Sequence, residues 1–79
     1  MDVKQAQRAA NVAQIRYDDE TRAMQKLQDD KHDPQQAYRY MEIVALIACQ
    51  REKVSAARNA LNQALWALEE AKRQEEAQS

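Results

Sequence analysis

Three features of the 79-residue sequence predict an all-α fold, an antiparallel two-helix hairpin. Glycine is absent, and glycine is the residue that tight β-hairpins, bulges and phosphate-cradling loops depend on. Strong turn punctuation falls at one place, Asp29-Asp30-Lys31-His32-Asp33-Pro34. A seven-residue apolar repeat runs through the half that follows. With 44% hydrophobic and 32% charged residues, the composition is that of long amphipathic helices rather than of a disordered chain.

The first helix is predicted over residues 3–29. Asp2 precedes it as a cap, and Gln5 stands three residues later. Its seam runs through Val3, Ala6, Ala10, Ala13, Tyr17, Met24 and Leu27, with Glu20 interrupting it. Val12 and Ile15 lie off the seam on a neighbouring face.

The turn is predicted over residues 30–33. Pro34 disfavours helical geometry at Asp33 and has no amide to give to a helix running through it. The same pair starts the next helix well: Asp33 as N-cap, Pro34 in the first turn and Gln36 at the capping-box position.

The second helix is predicted over residues 34–77. Tyr40, Ile47, Val54, Leu61 and Leu68 recur every seven residues. Ile43, Gln50, Ala57, Ala64 and Ala71 follow each by three, a coiled-coil seam of large residues against mostly alanine. Folding about His32 pairs Leu27 with Ala37, Met24 with Tyr40, Tyr17 with Ile47, Ala10 with Val54 and Val3 with Leu61. The whole of residues 1–79 forms one such domain.

The helices differ in length, so in this register helix 2 overhangs helix 1 by about 24 Å. Leu65, Trp66 and Leu68 fall in the overhang, and the run Ile43–Cys49 is apolar all round the helix. A helix apolar on every side is buried on more than one side. Large aliphatic residues number only 12, too few for a robust isolated core if part of them stays exposed. The chain is therefore expected to associate into a larger helical bundle, with itself or with another protein. Ile43, Val44, Leu46, Ile47, Leu61, Leu65, Trp66 and Leu68 are the expected partner-binding residues. Trp66 has two readings, packing within a self-associated four-helix bundle and anchoring in a heterologous partner. Tyr17 is open between seam and partner contact.

Other functions find little support. Twelve basic against 13 acidic residues leave a net charge of −1, without the surplus that nucleic-acid binding needs. Only Arg51, Lys53 and Arg58 form a basic stretch, and its expected use is pairing with Asp18, Asp19 and Glu20 across the hairpin. The chain has one histidine, in the turn, and its serines are Ser55 and Ser79, so no catalytic set is expected. Asp29, Asp30, His32 and Asp33 lack ligand-loop spacing and read as a solvated, capped turn, so neither metal nor cofactor is expected. Tyr38 and Tyr40 are expected to close the hairpin end against Leu27 and Met24. Cys49, in the most apolar run, is expected to be a buried thiol. A lone cysteine suggests a reducing setting, with an intermolecular bridge left open, and residues 1–14 lack the apolar core of a cleavable signal. The run 41–49 contains Glu42 and is too short to span a bilayer. No small-molecule substrate is expected.

The segment Asp33-Pro34-Gln35-Gln36-Ala37-Tyr38 resembles the opening of the second helix in the small hairpin co-chaperones of the type III secretion needle subunit, with one extra residue before the tyrosine. That resemblance implies a cytoplasmic bacterial binding protein without catalytic activity. It would pair with a larger helical-repeat chaperone and help keep a polymerising secretion subunit soluble. A needle or inner-rod structural subunit is the second reading. A self-associating four-helix-bundle regulator or RNA-binding adaptor is the third.

Overall fold

The computed structural model describes residues 2–78; Met1 and Ser79, the ends of the expected domain, lie outside the described residues. It is an antiparallel hairpin of α1 (Val3–Lys31) and α2 (Tyr40–Gln78), joined through a short 3-10 helix at Pro34–Arg39. No strand occurs among the described residues. The rod measures 62 × 15 × 13 Å. Its radius of gyration is 17.9 Å, against about 12 Å for a compact chain of this length.

The α1 start follows its sequence signal. Asp2 is extended, and its carboxylate accepts a hydrogen bond from the Gln5 amide at 2.7 Å. The far end is closed without glycine. His32 stays right-handed at φ −94°, and its amide donates to the Asp29 carbonyl at 3.2 Å. Lys31 sits in the last turn, where the helix dipole favours a cation. Asp33 is extended, as the residue before a proline prefers.

The entry to α2 departs from expectation. Asp33 does cap, but the segment it caps is a 3-10 helix; the α-helix begins six residues after Pro34, at Tyr40. The Asp33 carboxylate accepts from the Gln35 amide at 2.9 Å, and its carbonyl accepts from the Gln36 amide at 2.9 Å, a three-residue closure. Gln36 does not complete a capping box. Its side-chain oxygen instead accepts from Arg39 Nη1 at 3.4 Å.

This connection resets the register. The chain spends residues 32–39 rounding the end of α1, and α2 begins beside that end, with Lys31 Nζ 6.0 Å from the centre of the Tyr40 ring. Val3 then lies beside Lys72 and Glu75 rather than Leu61. Ala6 and Ala10 pack with Leu68 and Ala71, flanked by Val3 and Ala64. The expected overhang of Leu65, Trp66 and Leu68 is thus corrected: α1 reaches past all three, and Leu68 is buried at 7% exposure.

The seam itself follows the repeat. The buried residues of α2 are Ile43, Ile47, Gln50, Ala57, Leu61, Leu68 and Ala71, all on the two predicted rows. On α1 the buried residues are Ala6 and Ala10, small enough to bring the axes close. The two polar interruptions meet. Gln50 Nε2 donates to the Glu20 carbonyl at 2.9 Å and to the Glu20 carboxylate at 3.2 Å. Among the described residues no buried side-chain nitrogen or oxygen lacks a partner.

Candidate functional site

A hairpin of two helices has one seam, and that decides which apolar residues remain free. Of the expected partner-binding residues, Ile43, Ile47, Leu61 and Leu68 are buried against α1, inside the hairpin. Val44 is half-buried. Leu46, Leu65 and Trp66 are exposed, Trp66 at 66%. Trp66 is exposed because it lies five residues after the seam residue Leu61 and so points outward, not because α1 fails to reach it.

The same phase argument corrects two further expectations. Cys49 is exposed, since two residues beyond Ile47 carry it off the seam. Tyr38 is 82% exposed rather than packed on Leu27 and Met24, because the 3-10 segment turns three residues per turn and carries its side chains out of α-helical phase. Tyr17 is half-buried on the seam row.

Sequence reasoning missed the strongest exposed positions of α1, Val12 at 67% and Ile15 at 61%. Their signal was present, as large apolar residues off the seam row. Met41, on α2, is 75% exposed and likewise stands outside the expected partner-binding set.

Val12 lies in an open groove of about 460 Å³ along one flank of the hairpin, lined by Arg8, Ala9, Val12, Ala13 and Arg16 of α1 and by Ala60 and Ala64 of α2. Leu46 and Ala67 extend the Ala60 row along α2 at multiples of seven residues. A smaller hollow beside Trp66 is lined by Ala67, Glu70, Ala71 and Gln74.

The opposite flank of α1 is polar and satisfies itself. Gln7 Nε2 donates to Asn11 Oδ1 and Gln14 Nε2 to Asp18 Oδ1, each at 3.0 Å. Gln25 Nε2 donates to Asp29 Oδ1, again at 3.0 Å. These i,i+4 pairs leave no large apolar side chain on that side of α1.

Charge pairing is local. Asp19 pairs with Arg22 at 3.4 Å within α1 and Glu70 with Arg73 at 2.9 Å within α2, while Arg39 at the end of the 3-10 helix pairs with Glu42 in the first turn of α2 at 3.3 Å. Glu42 grips Arg39 through two oxygens; the hydrogen bond and the carboxylate charge hold that guanidinium above its ordinary pKa. The expected pairing of Arg51, Lys53 and Arg58 with Asp18, Asp19 and Glu20 does not form. Asp18 accepts from Gln14, Asp19 is taken by Arg22 and Glu20 by Gln50. Among the described residues, no group of three or more His, Cys, Asp and Glu side chains is placed to hold a metal ion. No described helix is long and apolar enough to cross a membrane.

Comparison of the chain with protein-family models, with curated proteins and with solved structures gives no match. What this surface can do is therefore read from its own side chains. It offers exposed apolar side chains on both helices of the rod, Val12 and Ile15 on α1 and Met41, Leu46, Leu65 and Trp66 on α2.

Proposed function

We propose that the hairpin is a non-enzymatic protein–protein interaction module that covers an apolar helix of another protein. In its finer form the reading is that of a small cytoplasmic co-chaperone in a bacterial type III secretion system, acting on a polymerising subunit together with a larger helical-repeat chaperone. One observation supports the first step above others. The chain exposes 6123 Å², whereas a compact monomer of 9.1 kDa exposes about 4,900 Å². The difference, about 1,200 Å², exceeds the roughly 800 Å² that one partner contributes to an ordinary interface. Val12, Ile15, Met41 and Trp66 all stand in this exposed surface. The finer step draws its support from the Asp33-Pro34 opening and the hairpin layout.

The test is co-expression with candidate helical partner proteins. The reading expects a soluble complex of fixed stoichiometry. Recovery of the free hairpin alone, whatever protein is co-expressed, would overturn it.

A further inference from the structure

We infer that the groove over Val12 is the docking site, and that its occupant is an amphipathic helix of a partner protein bearing acidic residues seven or eight positions apart on either side of a large apolar residue. This inference rests on the reading of the hairpin as a helix-binding module and adds where the helix lies and what charge it carries.

The floor of the groove is Ala9, Ala13, Ala60 and Ala64, with Val12 as its large apolar side chain. Alanines on both helices leave a hollow that a leucine-sized side chain enters as a knob enters a hole. Arg8 and Arg16 stand four residues before and after Val12 and line the same groove. They are separated by about 12 Å along α1, two turns plus a residue, which matches the same spacing on a facing helix.

The charge on this flank has one sign to offer. Among the described residues no acidic side chain lines the groove. Arg8 and Arg16 take part in none of the ion pairs or side-chain hydrogen bonds among the described residues. An exposed apolar groove with an unpaired guanidinium at each end complements a helix with a carboxylate at each end.

The same charges disfavour a second copy. A twofold axis through Val12 would set Arg8 of each chain against Arg16 of the other, a repulsive pairing at both ends. The opposite flank of α1 offers a helix nothing comparable, because its glutamines are bonded to Asn11, Asp18 and Asp29.

The test uses the full chain and three fluorescein-labelled synthetic helices. All share one leucine-alanine face. At the two flanking positions they carry glutamate, glutamine or lysine. Fluorescence anisotropy should show the glutamate peptide binding at least about tenfold more tightly than the glutamine peptide. The preference should fade as salt rises from about 0.1 M to about 1 M, where screening shortens from about 10 Å to about 3 Å. In the double variant Arg8→Glu/Arg16→Glu the order should invert, with the lysine peptide bound and the glutamate peptide lost. Both positions are exposed, and an unchanged circular dichroism spectrum confirms that the variant remains folded.

Equal binding of all three peptides, or binding of none, overturns the inference. So does a homo-oligomer that Val12→Glu dissociates, since a second copy would then hold the groove. A co-expressed complex that survives Arg8→Glu/Arg16→Glu overturns this groove while leaving the interaction module standing; loss of every complex in the unaltered chain overturns the module itself.

Discussion

Gln50 donates its side-chain amide to both the carbonyl and the carboxylate of Glu20, tying the middle of one helix to the middle of the other across the seam. Each residue looks like a fault in its own heptad pattern. Opposed, they form one polar layer in an otherwise apolar seam, and such a layer fixes register because any slip buries it without partners.

That layer can be weighed by mutation. Glu20→Ala removes the carboxylate but leaves the carbonyl, so it should cost only about 0.5–1.5 kcal/mol. The pair Glu20→Leu with Gln50→Leu should be neutral or stabilise by up to about 4 kcal/mol, while broadening the range of associated species. Urea unfolding with solution mass on the same samples reads both effects. A double variant that is less stable would show that the layer contributes more than register.

The reach of α1 along α2 makes a sharp contrast between neighbours. Leu68 is buried against Ala6 and Ala10, whereas Trp66 is exposed. Leu68→Ala should destabilise the hairpin by about 2–5 kcal/mol, and Trp66→Ala should leave it within about 0.5 kcal/mol. Helical melts followed by far-UV circular dichroism compare them. Equal losses would mean that the two residues share one environment.

How much of this was legible beforehand follows from what a heptad encodes. Ile43, Ile47, Leu61 and Leu68 were readable as one row set because a helix repeats its face every two turns. The pairing of the rows was not. A seven-residue repeat offers equivalent seams at successive offsets, and the choice among them lies in the connection. Pro34 and Asp33 permit both an α and a 3-10 start; the structure takes the tighter one, and Val3 moves from Leu61 to Lys72 as a result. The site suffered in the same way. Composition marked the run from Ile43 to Cys49 as apolar, but phase, not composition, decides that Ile43 and Ile47 turn inward while Leu46 and Cys49 face out. Val12 was visible off the seam, yet its groove exists only once Ala60 and Ala64 are brought beside it.

The thiol gives an inexpensive check on that phase. Cys49 is exposed, so a maleimide should label the native protein at close to the rate of a free cysteine peptide. Labelling that waits for denaturant would place Cys49 in an interface or a core.

The connection should also respond as a cap does. Asp33 accepts the Gln35 amide at 2.9 Å and its carbonyl holds Gln36. Asp33→Ala should lower stability by about 0.5–2 kcal/mol, and Asp33→Asn should recover most of it. Urea midpoints measure the difference. A neutral Asp33→Ala would mean that Pro34 alone shapes the turn.

The central claim is that this hairpin closes one seam and leaves its outer apolar surface for another protein. Light scattering across a concentration series, with a helical melt on each sample, tests it most directly. The account predicts a monomer that melts broadly and at low temperature until a partner helix is supplied. A monomer melting sharply above about 65 °C on its own, or a tight homo-oligomer of the same stability, would contradict it.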